Sequence, residues 1–263
     1  MVAISTANIA AILIPSAVAF ILVYALTPPV AQFMLRKGIT GVDVHKPNKP
    51  TIPEMCGVSI VAGFILAVFL IPVFAPQAWA TVGVLAFMVG IAAIVGVVDG
   101  FKTLGAKTKV LLTAVPFVPL VVWGPIVPFP EFPFIGELRM TLLYPLVMVP
   151  LLVATFSNAT NMIDVFNGAM PASLTIASIF LFAISFATGR LEVAAAYGVT
   201  LGCLIAYHRY NRYPAKVFTG DVGSLALGSL LAGLAVVGRM EIVTLIAWLP
   251  LLSNGALNHA SVG

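Results

Sequence analysis

The chain has 263 residues, 61% of them hydrophobic and 8% charged, with a mean hydropathy of +1.12. A soluble domain is usually about a quarter charged, so the composition excludes one and predicts an all-α, polytopic integral membrane protein. The net charge of +4 does not indicate a nucleic-acid partner, because the basic residues are distributed among short loops between apolar runs.

Nine apolar runs, each near the ~17–25 residues that a crossing needs, occupy approximately 6–27, 56–75, 79–98, 110–128, 139–156, 169–187, 192–207, 222–238 and 241–257. No charge precedes Arg36, so the N-terminus lacks the basic region of a cleavable signal peptide and reads as a first transmembrane helix. Residues 55–98 hold no charge, and Pro76-Gln77 marks a turn between two crossings. Pro116, Pro119 and Pro145 predict kinks that neighbouring helices absorb. Cys56 and Cys203 fall in or beside spans and read as buried thiols, not a disulfide framework. The chain, 1–263, reads as a single transmembrane domain.

Nine crossings create two sets of loops. One set holds Arg36, Lys37, Lys46, Lys49, Lys102, Lys107, Lys109, Arg209, Arg212 and Lys216; the other holds only Arg139, Arg190 and Arg239. The positive-inside rule makes the first set cytoplasmic, with the N-terminus outside and the C-terminus inside. Asp43, Asp99, Asp164 and Asp221, all the aspartates, fall on that side, joined by Glu54 alone of the glutamates. Short carboxylates suit Mg²⁺, which is normally held by one or two of them together with substrate phosphates.

The first cytoplasmic segment, Gly41 to Gly57, contains prolines that rule out a regular helix. Its lysines suit phosphates or, equally, lipid headgroups. In the second, Asp99 ends one span and Lys109 begins the next; the pair flanks an anionic substrate or forms a plain interfacial ion pair. The third runs from Ser157 to Gly168 and carries Asn158, Asn161, Asp164 and Asn167 at spacings of three, which on a helix share one face. Unpaired polar groups at membrane level cost several kcal/mol each, so this stripe reads as functional; the alternative is a polar loop joining two spans. In the fourth, Gly220, Gly223 and Ser224 around Asp221 suit a turn into a helix N-terminus, where free amides favour phosphate. An N-capping role for Asp221 is compatible with metal ligation.

Asn158-Ala-Thr-Asn-Met-Ile-Asp-Val-Phe-Asn-Gly168 resembles the signature of the polyprenyl-phosphate N-acetylhexosamine-1-phosphate transferases. Pro53-Glu-Met-Cys-Gly57, Val97-Val-Asp99 with Lys109, and Lys216-Val-Phe-Thr-Gly-Asp-Val-Gly-Ser224 match further motifs of that family in the same order. The Pro-Glu element and His45-Lys-Pro47 look more like the archaeal and eukaryotic branch. The resemblance implies transfer of a sugar-1-phosphate, GlcNAc-1-phosphate first among them, from a UDP-sugar to a polyprenyl or dolichyl phosphate in the bilayer. It also implies Mg²⁺, with Mn²⁺ as a substitute, and dimers occur in the family.

By that resemblance Asn161 and Asp221 are metal ligands, and Asp99 and Asp164 are catalytic positions. Lys109 contacts phosphate, Glu54 and Asn167 lie near the nucleotide, and Asn158, Gly168 and Gly220 belong to the substrate site. The chain departs from the family at Gly100, where a second aspartate is expected, at Val165 and Cys56, which replace glycines, and at its end. The given sequence stops at Ser261-Val-Gly263, where the family continues into a last cytoplasmic loop and a tenth helix, leaving only His259, which matches no family motif. A member that binds nucleotide-sugar or lipid phosphate without turnover is the alternative reading, and a transporter a third.

Overall fold

The computed structural model describes residues 5–44, 46–132 and 136–249. His45, His259, the end of the ninth apolar run beyond 249 and Ser261-Val-Gly263 lie outside the described residues. Seven helices among the described residues are long and apolar enough to cross a membrane, and the protein is an all-α, multi-pass membrane protein.

The first crossing is α1 (Thr6–Arg36), capped by Ser5, whose hydroxyl accepts from Asn8 N at 3.2 Å. The second apolar run is broken into α2 (Val58–Val68) and a single turn, α3 (Ile71–Phe74), with Pro72 in its first turn. Then follow α4 (Trp79–Lys102), α5 (Ala106–Ala114) and α6 (Phe117–Trp123). Pro116 separates α5 from α6, as expected of a residue that cannot donate its backbone nitrogen.

The fifth crossing opens with a π-helical stretch, Tyr144–Met148, around Pro145 and continues as α7 (Val149–Ile163). It is followed by α8 (Ala169–Ala187), α9 (Leu191–Asn211), α10 (Gly220–Val237) and a further helical segment over 241–249. Within the described residues, each of the nine apolar runs falls mainly on helix. Two short antiparallel hairpins complete the chain: β1 (Thr40–Val42) with β2 (Thr51–Pro53), and β3 (Glu131–Phe132) with β4 (Gly136–Glu137).

The bundle is built around α10. It is 83% buried, whereas the span formed by α5 and α6 is 22% buried and turns exposed Leu111 and Val122 outward. Lipid provides no hydrophobic drive between helices, so close packing requires small residues. Gly96 of α4 lies so near the backbone of Asp221 that an added Cβ would stand 2.5 Å from the Asp221 carbonyl carbon. Gly57 meets Gly223 in the same way, and Gly228 abuts the backbone of Phe156 and Ser157 on α7. These contacts draw α10, α4, α7 and the start of α2 together at the end that carries ten of the thirteen basic residues.

Candidate active site

At that basic end, four side chains from four helices converge. Asp99 lies near the end of α4, Lys109 in the first turn of α5, Asn161 in the last turn of α7 and Asp221 in the first turn of α10. Lys109 Nζ lies 2.6 Å from Asp99 Oδ2, and 3.0 Å from both Asp221 Oδ2 and Asn161 Oδ1. An ammonium has three N–H donors, and here all three are used. Asn161 Nδ2 donates to Asp221 Oδ1 and to Ser224 Oγ, the latter at 2.9 Å.

Asp99 is fixed from behind. After α4 ends at left-handed Thr103, the chain turns so that Leu104 N donates to Asp99 Oδ1 at 2.7 Å. One carboxylate oxygen therefore holds the turn while the other holds Lys109. Asn158, one helical turn before Asn161, donates to Thr113 Oγ1 at 2.7 Å and so ties α7 to α5.

The polar stripe of α7 does not continue as a single face. The helix ends at Ile163, Asp164 caps it, and Gly168 (φ +80°) starts α8 in the left-handed region that glycine tolerates. The stripe therefore divides. Asn158 and Asn161 face α5 and α10, Asp164 accepts from Thr219 Oγ1 at 3.0 Å, and Asn167 donates from Nδ2 to Asp43 Oδ2 at 2.9 Å. Gly168 N donates to Asn211 Oδ1 at 3.1 Å. Burial raises the Asp164 carboxyl well above the usual carboxylate range, with Asp221 and Glu54 adding to the effect and the Thr219 hydroxyl opposing it. Burial, then Asp221, also raises Glu54.

Beside the cluster is a cavity of about 300 Å³, lined by Ile39, Glu54, Met55, Gly100, Gly220 and Asp221 among others. It is the space between the first hairpin, the end of α4 and the start of α10. A Cβ at Gly100 would meet Met55 Cε at 3.2 Å, so the Met55 thioether packs over the position at which the sequence resemblance leads to the expectation of a second aspartate.

Among the described residues, no group of three or more His, Cys, Asp or Glu side chains converges as a metal cage. The oxygens of Asp99, Asp221 and Asn161 nonetheless surround one positive centre, the Lys109 ammonium. Two carboxylates against one lysine leave a surplus negative charge. An incomplete set of hard oxygen donors of this kind fits Mg²⁺, which completes its shell with water and substrate phosphate.

Some contributors were given no role from the sequence, Asp43 being grouped there only with the other aspartates. Asp43 is fully buried, and its Oδ2 also faces Lys46 Nζ at 3.1 Å. Thr113, Thr219 and Asn211 support Asn158, Asp164 and Gly168. At the opposite end, Glu241 is 6% exposed and accepts from the Tyr144 hydroxyl.

Fold and site together define a membrane-embedded protein with a charged, phosphate-compatible site at one end of its helices. The profile of Glycosyl transferase family 4 matches residues 81–239, and the chain belongs to that family. It is 32% identical over 256 residues to a Methanocaldococcus jannaschii protein assigned as a glycosyltransferase, covering 92% of this chain and 75% of the relative. A Saccharolobus solfataricus protein, assigned as a UDP-N-acetylglucosamine–dolichyl-phosphate N-acetylglucosaminephosphotransferase, is 26% identical over 250 residues, or 92% of this chain and 76% of its own. The phospho-N-acetylmuramoyl-pentapeptide-transferase of Streptococcus pneumoniae is 27% identical over 241 residues, covering 87% and 74%. The chain spans about three quarters of the length of these relatives.

Proposed function

We propose that this protein transfers a sugar-1-phosphate, GlcNAc-1-phosphate first among them, from a UDP-sugar to a polyprenyl or dolichyl phosphate. The products are a lipid-linked pyrophosphoryl sugar and UMP. The observation that carries this reading is the convergence of Asp99, Lys109, Asn161 and Asp221 beside a 300 Å³ cavity at the basic end of the bundle. The names of the archaeal and streptococcal relatives support it. The ten basic residues at that end support a cytoplasmic site, by the positive-inside rule.

In the reaction, an oxygen of the lipid phosphate forms a bond to the sugar-bearing phosphorus of the nucleotide. The bond from that phosphorus to the bridging oxygen breaks, and UMP leaves with the electron pair. A phosphate monoester has a second pKa of about 6, so the attacking oxygen is largely ionised without a dedicated base. The residues then act by positioning and by charge. Lys109 exchanges a carboxylate for a phosphate oxygen, Asp99 keeps its ammonium in place, and Asn167 and Glu54 lie toward the nucleotide. Asp221 and Asn161 would hold Mg²⁺, which when bound neutralises pyrophosphate charge.

Asp221→Ala is expected to abolish Mg²⁺-dependent binding of UDP-GlcNAc while leaving the protein folded. Undiminished Mg²⁺-dependent binding by that variant would refute the ligand assignment.

A further inference from the structure

Not every glycine of α4 serves packing. Gly96 is pressed against α10, but a Cβ added at Gly90 would meet nothing within 4 Å among the described residues. Glycine weakens a helix interior, and no packing contact among the described residues explains it here. Gly90 instead forms a notch in an apolar groove of about 310 Å³ between α2 and α4, lined by Ile65, Phe69, Phe87, Ile91 and Ile94 among others. Phe69 is in ring contact with Trp79, 6.2 Å between centroids, and Phe87 with Trp123 of α6 at 6.1 Å, so aromatic rings flank the groove.

The groove continues toward the polar cluster. Phe87, Ile91, Ile94, Val98 and Phe101 follow one another at spacings of four, three, four and three, so they share one face of α4. Phe87, Ile94 and Phe101 are 61%, 65% and 65% exposed, and Val98 36%. At the end of this stripe, Phe101 and Gly100 line the 300 Å³ cavity beside Asp221, and the preceding Asp99 holds the Lys109 ammonium. At 1.5 Å per residue the stripe runs for about 21 Å, roughly two thirds of a ~30 Å hydrocarbon layer.

We propose that this stripe and groove hold the isoprenoid chain of the lipid phosphate, with the phosphate at the cavity end and a methyl-branched stretch of the chain in the Gly90 notch. The inference rests on the transferase reading above. An ordinary acyl chain needs only apolar surface, whereas the chain of a reacting lipid must run unbroken to its phosphate. The larger apolar cavity between α8 and the 241–249 segment, about 480 Å³ and lined by Ile176, Phe180 and Ile246 among others, shares no lining residue with the polar cavity. A chain branched at every unit also needs recesses, which a straight chain would leave unfilled at a loss of contact.

The test uses the purified full chain in nanodiscs and a polyprenyl phosphate with a diazirine midway along its tail, the photolabel being mapped by peptide mass spectrometry. Label is expected on the stretches of α2 and α4 around the groove, displaced by unlabelled polyprenyl phosphate but not by phosphatidylglycerol. Gly90→Leu fills the notch with a good helix former, so the variant should fold and lose that label. Its KM for polyprenyl phosphate should rise about tenfold, as if roughly two methylenes were left unburied, while the KM for UDP-GlcNAc stays unchanged. The penalty should vanish with citronellyl phosphate, whose two isoprene units are too short for the about 16 Å from Phe101 to Gly90. Ile176→Trp, in the larger cavity, should change none of these values.

Label displaced by polyprenyl phosphate but lying on α8 and 241–249 overturns the inference, as does α4 label that phosphatidylglycerol displaces equally well. UMP release by wild type with an unchanged polyprenyl-phosphate KM in Gly90→Leu overturns the inference and leaves the transferase reading standing. If Gly90→Leu fails to fold, the wild-type label map decides alone. Specific α4 label without UMP release keeps the lipid site and overturns the transferase reading; neither label nor release overturns both.

Discussion

Lys109 spends its three donors on Asp99, Asp221 and Asn161, so a single ammonium offsets one of the two negative charges at the centre of the site. Removing it leaves two carboxylates facing each other. Lys109→Ala should therefore lose about 2 kcal/mol of stability, less than for a fully buried pair because the lysine keeps 21% exposure. Millimolar Mg²⁺ should restore more melting temperature in this variant than in wild type, since a divalent cation replaces the missing charge. Equal Mg²⁺ responses would contradict this.

Asp164 titrates in the opposite sense to a paired carboxylate. Its native pKa lies above the ordinary value of 3.8, so the native state keeps a proton that the unfolded chain releases. The resulting stability is present below about pH 4 and is lost as pH rises through the native pKa. Asp164→Asn, in divalent-free buffer, should melt above wild type at neutral pH, with the difference vanishing below about pH 4. A variant less stable than wild type at neutral pH would show that the carboxylate is wanted ionised.

At the scale of helices, the site depends on glycines that let backbones touch. Gly96→Ala would push a methyl into the Asp221 carbonyl, at a cost of roughly 1–3 kcal/mol for overpacking, and would displace the carboxylate with it. Its melting temperature and its UDP-GlcNAc affinity should fall together; affinity unchanged at lower stability would separate packing from the site.

The helices themselves were legible, because apolar runs mark them, and seven among the described residues are long and apolar enough to span. Their ends were less so. The run beginning at 110 starts as a helix at Ala106, and the run ending at 156 continues to Ile163. Lys109, Asn158 and Asn161 look like loop residues to a hydropathy reading, yet they satisfy one another and so remain helical. The separation of Asn167 from Asn161 was hidden, because it follows from a turn at Gly168 and not from spacing. The Asp43–Asn167 bridge joins residues 124 apart and leaves no periodic trace.

Across the whole molecule, polarity is sorted by end. The Lys109 cluster, the Asp164–Thr219 contact and the Asp43–Lys46–Asn167 junction share the basic end; Tyr144–Glu241, Thr81–Glu192 and Arg239–Glu137 occupy the other. If the basic end is cytoplasmic, a single cysteine at Lys107 should react with an impermeant maleimide only in inside-out vesicles, and one at Arg190 only in right-side-out vesicles. The reverse pattern would invert the topology and move the site to the outer face.

The account rests most heavily on phosphoryl transfer to a lipid acceptor. Purified protein would be given UDP-GlcNAc labelled in the phosphate next to the sugar, together with polyprenyl phosphate and Mg²⁺, and the label extracted into organic solvent. The account predicts label in the lipid phase with an equal amount of UMP in water, abolished by EDTA and by omission of polyprenyl phosphate. Mg²⁺-dependent UDP-GlcNAc binding with no label in lipid would contradict it and leave a nucleotide-sugar site without transfer.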